Sequence, residues 1–378
     1  MFSDKSKSKL LSWLGVVFYL YVLLVAVSMI GAGFKWATGG ADAVKQLFAF
    51  ATNPFMGLVM GIVATALVQS SSTVTSVIVA LCAGGMPVTI AVPMIMGANI
   101  GTTITNTFVS LGHIGDKEEF KKAFSAATIH DFFNLISVII FLPIEIFFRP
   151  LEKAAYYLTQ QIQGGKSVSI EGFNIVKAAI KPAIAFTQSS LDFLAVPWGG
   201  IILSLIGLGL IFLAIINIGT LLKKVLLGKA QQLFQSAVGR SPLSGIFSGT
   251  IITVLVQSSS TTTSLVVPLA GSGIMTLRQV YPFALGANIG TCITAILAAT
   301  SISGPGAFFA LQIALVHFIY NLIGVALIYS VPILRQLPIF SAEWLAGLTV
   351  KNKLYAFAYM IIVFFLIPAG CVGIYAAM

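Results

Sequence analysis

The chain has 378 residues, 58% of them hydrophobic and only 8% charged, with a mean hydropathy of +1.00. A soluble domain carries about 25% charged residues, so this composition excludes a soluble enzyme or binding module and requires an integral protein of the lipid bilayer. The net charge of +10 is scattered between apolar segments rather than gathered on one face, which is orientation signal and excludes a nucleic-acid patch.

Met1–Leu10 is polar and basic, and the apolar run after it is long enough to stay in the membrane rather than act as a cleavable leader. Leu11–Gly33 matches the ~20 residues a spanning helix needs. Phe34–Asn53 is mixed in character and reads as an interfacial helix. Pro54–Val68 and Thr73–Gly84 are apolar arms too short to span, since about 1.5 Å per residue leaves each well under the ~30 Å of hydrocarbon. With QSSS at their junction they read as a re-entrant hairpin, tolerated only where protein or water covers its tip. Pro87–Leu111 is a span expected to break at Gly97-Ala-Asn-Ile-Gly101. His113–Lys122 is a charged loop, and Ala123–Phe148 spans again, carrying His130, Asp131 and Asn134. Arg149–Val196 reads as the longest polar stretch, loop-like over Gln160–Ser169. Trp198–Leu222 opens a second half, and a basic connector follows with Lys223, Lys224, Lys229 and Arg240. Then come hairpin Pro242–Ser272, broken helix Met275–Thr300, span Gly306–Val331 and a last span, Tyr355–Ala377. Cys82, Cys292 and Cys371 all sit in apolar segments and read as small core residues without a disulfide.

The order of the second half is that of the first, and the likeness extends to residues. Gln69–Ser76 (QSSSTVTS) returns as Gln257–Ser264 (QSSSTTTS), Gly97–Thr105 (GANIGTTIT) as Gly286–Thr294 (GANIGTCIT), and His130-x-x-x-Asn134 as His317-x-x-x-Asn321. The offsets are 188, 189 and 187 residues, so an internal duplication is legible. Keeping hydroxyl and amide side chains twice within hydrocarbon-like sequence is costly unless they bind something polar. Packing through small residues explains a single QSSS but not two copies in register with GANIG. Placing the N-terminus inside and giving the hairpins no net crossing puts 14 of the 21 basic residues on that side, in accord with the positive-inside rule. Each half then crosses an odd number of times, and the repeats are inverted.

From Pro54 to Leu111 there is no Asp, Glu, Lys or Arg. The polar groups that remain are Gln69, Ser70, Ser71, Ser72, Thr73, Asn99 and nearby threonines, repeated as Gln257, Ser258, Ser259, Ser260, Thr261 and Asn288. Hydroxyls and amides can donate to an oxyanion or offer oxygen to a cation, and a helix N-terminus adds free N–H groups. Two such tips meeting at mid-membrane form a cradle for a small oxyanion. No Lys or Arg lies near to offset its charge, so co-bound cations on oxygen ligands supply the compensation. Asp131 is the one carboxylate deep in a spanning pattern and is a candidate cation ligand or proton carrier. His130 and His317, each followed one turn later by an Asn, read as interhelical hydrogen-bonders. No nucleophile–base pair, nucleotide loop or metal cluster points to an enzyme.

Paired QSSS motifs with GANIGTTITNT and ATIHDFFN resemble the type II sodium–phosphate cotransporter family, over Leu11 to about Ala377. The resemblance implies sodium-driven uptake of inorganic phosphate by alternating access, with phosphate held by Gln69–Ser72 and Gln257–Ser260. It assigns Gln257, Ser258, Thr291 and Thr294 to one sodium ion, and Thr107, Asp116 and Asn134 to another; sodium is the co-transported ion and no other metal is implied. Asp131 matches the residue that marks electrogenic members, and a homodimer is a further implication. Animal members have a long glycosylated outer loop with a disulfide, whereas Arg149–Val196 has neither Cys nor Asn-x-Ser/Thr. They also continue beyond the last span. Both departures point to a bacterial inner-membrane protein with a cytoplasmic N-terminus.

The expectation is therefore an all-α integral membrane protein forming one transport domain (1–378). It contains two inverted repeats (11–150 and 197–335), each with a re-entrant hairpin and a broken spanning helix, and an extra span (354–377). Sulfate or a dicarboxylate as cargo, or an anion channel, are the competing readings.

Overall fold

The computed structural model describes residues 4–38, 53–164, 171–237, 241–302 and 304–377; the segment expected as an interfacial helix lies largely outside them. Among the described residues the fold is all-helical, without strands, and seven helices are long and apolar enough to cross a membrane. Helix α1 (Asp4–Thr38) precedes a pair of short helices, α2 (Pro54–Val68) and α3 (Ser71–Gly84). Next come α4 (Val88–Gly101), α5 (Ile104–Ser110) and α6 (Lys117–Phe148). Two helices, α7 (Pro150–Gly164) and α8 (Glu171–Ser189), lead to α9 (Trp198–Ala237). The second half continues with α10 (Pro242–Val256), α11 (Ser259–Ser264), α12 (Val266–Gly271), α13 (Leu277–Thr300) and α14 (Ala307–Ser330). The chain closes with α15 (Pro332–Lys351), α16 (Leu354–Ile361), a π-helical turn at Ile362–Leu366, and α17 (Ile367–Ala377).

The duplicated sequence folds in the same way locally. Asn53 caps α2 and Ser241 caps α10; a proline at N1 follows in each, and both helices run 15 residues. Proline suits that position because its missing N–H would be unpaired anyway. Glycines then bring backbones together. Gly57 and Gly61 on α2 face α4 while Gly97 and Gly101 on α4 face α2; a Cβ built at Gly97 would lie 2.0 Å from Leu58 O and one at Gly61 2.1 Å from Met94 O. The α10–α13 pair repeats this, with Gly249 2.0 Å from Phe283 O and Gly286 2.0 Å from Ile246 O. α1 and α9 form a third such pair, where a Cβ at Gly200 would lie 2.4 Å from Gly33 O. In an apolar solvent, where helices gain little from hydrophobic burial, such small-residue seams supply the packing.

Three expectations change. A break in the spanning helix occurs in one copy only: α4 ends at Gly101 and α5 begins after Thr102–Thr103, whereas α13 runs unbroken from Leu277 to Thr300. At the break, Thr102 and Thr103 hydroxyls both back-bond, to Ala98 O (2.9 Å) and Ile100 O (3.0 Å), and Ser260 takes Thr102 O at 3.2 Å. These bonds compete with the helical ladder. Thr291, the counterpart of Thr102, back-bonds to Ala287 O at 2.9 Å without breaking α13, so the copies differ at Thr103, replaced by Cys292, and in the contact from Ser260. The stretch 149–196, read as polar loop, carries amphipathic α7 and α8, and the basic residues Lys223, Lys224 and Lys229 lie within α9 rather than in a connector. Arg240 is outside the described residues.

Candidate functional site

Each QSSS segment is a two-residue turn between helices. Gln69 and Gln257 adopt left-handed backbone (φ 55° and 56°), and their N–H groups return to Thr65 O and Thr253 O, both at 2.7 Å. Ser70 and Ser258 are extended and cap α3 and α11, each accepting from the N–H three residues on (Thr73 and Thr261, 3.2 Å). That leaves the N–H groups of Ser71, Ser72, Ser259 and Ser260 without helical acceptors, as at any helix start. Ser71, Ser72, Thr73, Ser259 and Ser260 are buried.

The two tips differ in what surrounds them. Gln257 is 7% exposed; its Oε1 accepts from Thr294 at 2.8 Å and its Nε2 donates to Val254 O at 2.6 Å. Gln69 is exposed, and the hydroxyl of Thr105, which matches Thr294, is buried without a partner. The second tip docks on the first half: Ser260 reaches the helix break at Thr102, and Thr263 pairs with Asn106 (2.8 Å). Asn106 stands in the GANIGTTITNT run but outside the duplicated residues, its counterpart being Ala295.

The GANIG asparagines lie in the interface between halves. Asn99 donates to Asn321 Oδ1 (2.9 Å) and accepts from His317 Nε2 (3.1 Å). Asn288 donates to Asn134 Oδ1 (2.8 Å) and its Oδ1 meets His130 Nε2. Each half thus presents a GANIG amide to the His-x-x-x-Asn face of the other, and Asn134 also donates to Asn99 O at 2.9 Å. Both atoms of the Asn99 and Asn288 amides are engaged, so their geometry is that of fasteners between halves. The histidines occupy the interhelical role read for them.

Of the remaining candidates, Thr291 donates to Ala287 O (2.9 Å) within α13, and Thr107 is buried with an unpartnered hydroxyl. Asp131 is 3% exposed, and its Oδ2 accepts from Tyr359 Oη at 2.8 Å. Asp116 stands apart. It caps α6, accepting from Glu118 and Glu119 N–H at 2.8 and 2.9 Å, and by helical rise it lies about 22 Å from Asp131. Those backbone donors, Glu119 first, hold its carboxyl below the usual aspartate range. Sequence reasoning missed the hydroxyls of Thr65 and Thr253, one turn before each Gln, which are buried and unpartnered. The signal was present, since both are Thr at matching offsets. Cavities of about 570 and 600 Å³ lie near Gly84 and Gly273, at the bases of the two short-helix pairs rather than at their tips.

The chain is 32% identical to human sodium-dependent phosphate transport protein 2B over 444 aligned residues, covering 94% of this chain and 64% of that protein. It is also 32% identical to rat sodium-dependent phosphate transport protein 2A, covering 94% of this chain and 66% of the relative. The chain therefore spans slightly under two thirds of the length of these relatives. No solved structure matches it. The Na+/Pi-cotransporter family model matches in two parts, residues 22–220 and 210–337. On the reach of that match and the identity to these relatives, the chain is a multi-pass membrane protein of the Na+/Pi-cotransporter family.

Proposed function

We propose that the chain carries inorganic phosphate across a membrane coupled to sodium, by alternating access and with net movement of positive charge. The observation that supports this most is the pair of QSSS turns, each with an extended serine, free N–H groups and buried hydroxyls, in segments lacking acidic residues and holding only Arg278 as a base. Phosphate sits between Gln69–Thr73 and Gln257–Thr261. One sodium ion uses Gln257, Ser258, Thr291 and Thr294, of which Gln257 and Thr294 are already in contact. A second uses Asp131 with Thr107. Asn99, Asn134 and Asn288 fasten the halves together, and Asp116 caps α6. The family relationship and the names of the relatives support sodium and phosphate as the transported pair. In a bilayer the α2–α3 and α10–α12 segments are re-entrant from opposite sides, which makes the two halves inverted repeats. The placement of basic residues supports a cytoplasmic N-terminus, and the absence of Cys and Asn-x-Ser/Thr from 149–196 supports a bacterial inner membrane.

The test is labelled phosphate uptake into proteoliposomes with sodium, potassium or a proton gradient outside and sulfate as competitor. Accumulation that requires sodium and resists excess sulfate is expected. Uptake abolished by sulfate moves the protein to a different anion carrier, and flux indifferent to the sodium gradient makes it a channel. Ser70→Ala and Ser258→Ala, inserted normally, should each raise the phosphate KM about tenfold, the loss of one hydrogen bond to a charged group. Unchanged uptake in both removes the site.

A further inference from the structure

Asp131 and the last span share one property: neither has a counterpart in the other half. The residue matching Asp131 is Phe318, and 354–377 follows the second copy. The structure brings these two unpaired features together. Tyr359, on α16, donates from Oη to Asp131 Oδ2 at 2.8 Å. Its ring packs on Phe132, beside that aspartate, and on Phe364, with centroids 6.2 Å away in both cases. The other carboxylate oxygen, Asp131 Oδ1, is buried and has no hydrogen-bond partner. Thr103 lies next to the carboxylate, but its hydroxyl is turned to Ile100 O. Asp131 is therefore held by one oxygen and open at the other, at the level of the α4–α5 break.

A tyrosine hydroxyl in this protein does not by itself demand such a partner. Tyr281 and Tyr320 are more deeply buried and leave theirs unpaired. The span that carries Tyr359 is only 22% buried, a surface where phenylalanine would serve as well for packing. Three residues beyond Tyr359 the helix widens into the π turn Ile362–Leu366, a feature common at functional sites.

We propose that Tyr359 is a positioning residue for the cation-binding carboxylate, occupying Asp131 Oδ2 so that Oδ1 presents to sodium. The proposal rests on the reading of Asp131 as a sodium ligand. A hydrogen bond to an ionised acceptor is short and strong; it fixes the carboxylate plane and leaves one oxygen to the hard cation, which prefers oxygen ligands. The last span thereby contributes to sodium binding without touching the ion.

Tyr359→Phe keeps the ring contacts and removes only the donor. Phosphate uptake is measured against sodium concentration in proteoliposomes for wild type, Tyr359→Phe, Asp131→Asn and the double variant. Tyr359→Phe is expected to raise half-saturating sodium about tenfold, equivalent to about 1.4 kcal/mol. The phosphate KM and maximal rate at saturating sodium should stay within about twofold. In the Asp131→Asn background the same change should add nothing. A wild-type sodium curve for Tyr359→Phe, or an undiminished effect in the Asp131→Asn background, overturns the positioning role alone. A wild-type sodium curve for Asp131→Asn overturns the reading of Asp131 and the proposal with it.

Discussion

Gly97→Ala tests whether the GANIG glycines exist for backbone contact. The added methyl would stand 2.0 Å from Leu58 O and 2.9 Å from Ile62 N. Cβ atoms essentially never approach another atom closer than 3.0 Å, so α2 and α4 must separate by about 1 Å. Both neighbours are backbone, and no side chain can turn aside. Forcing extra atoms into a packed seam costs about 1–3 kcal/mol, and the rigidity here places this change at the upper end. A gap of about 1 Å also forfeits up to half of each van der Waals contact along the seam. Because α2 ends at Gln69, the separation displaces the tip itself. Gly347→Ala is the control: it lies inside α15 with nothing within 4 Å of the built Cβ, and gains helix propensity of about 0.5–1 kcal/mol. Heating purified protein in detergent and following the folded fraction should show Gly97→Ala lost well before wild type and Gly347→Ala at or slightly above it. Uptake by Gly97→Ala should fall below about a tenth of wild type. Gly286→Ala, whose Cβ would meet Ile246 O at 2.0 Å, should behave alike. Gly97→Ala matching Gly347→Ala in both assays would refute the reasoning.

Asn288→Leu strands Asn134 Oδ1 and His130 Nε2 in a buried interface, at about 1–3 kcal/mol for each orphaned group; thermal inactivation several degrees below wild type is expected, and an unchanged profile would show that the fastener carries no energy. Asp116→Asn should transport within about twofold of wild type, because Asn caps a helix about as well as Asp, and a sharp loss of sodium affinity would return Asp116 to the ion site. Its pH behaviour has a definite sign. A carboxyl held below its usual range in the folded protein stabilises it at neutral pH, and that contribution disappears only as pH falls through the lowered value. Wild type and Asp116→Asn should therefore show superimposable uptake profiles between about pH 5 and pH 8, and a difference inside that window would refute the capping role.

The elements legible in the sequence were those whose signal is local. The half-length apolar arms placed the first pair of short helices to within a few residues and the second copy as one hairpin, Pro242–Ser272, whereas the αL glutamines and capping serines that turn the chain appear only in the fold. The helix break was half legible. GANIG stands in both copies, but its glycines serve close packing; the ladder yields at Thr102–Thr103, through hydroxyl competition and a contact from Ser260 on a distant segment. Amphipathic α7 and α8 were hidden by polarity, since a helix lying against the rest of the protein needs only one apolar stripe. In the site, the motif serines were readable as motifs, whereas the partners of Asn99, Asn288 and Asp131 were not. Those partners lie 154–228 residues away in sequence, and only the fold selects them.

Alternating access requires something to move, and the polar fasteners restrict what that can be. Rocking one half against the other would break the Asn99–His317, Asn99–Asn321, Asn288–His130 and Asn288–Asn134 contacts, while Asn134–Asn99 ties α6 to α4 within the first half. At about 1–3 kcal/mol for each buried group left unpaired, the total far exceeds the few kcal/mol that separate interconverting states. α4, α6, α13 and α14 therefore travel as one block. The α1–α9 pair, sealed by Gly33 and Gly200, shares none of those bonds, so the sliding surface falls between it and the short-helix pairs. Gly31 on α1 meets that surface, with a built Cβ 3.7 Å from Ala83 Cβ on α3, inside the span a disulfide bridges. Gly31→Cys with Ala83→Cys, in a Cys82→Ala background, should oxidise readily, lose uptake on oxidation and regain it with reductant. Full transport by the cross-linked protein would place the moving boundary elsewhere, and the four fasteners between the halves would then have to open in every cycle.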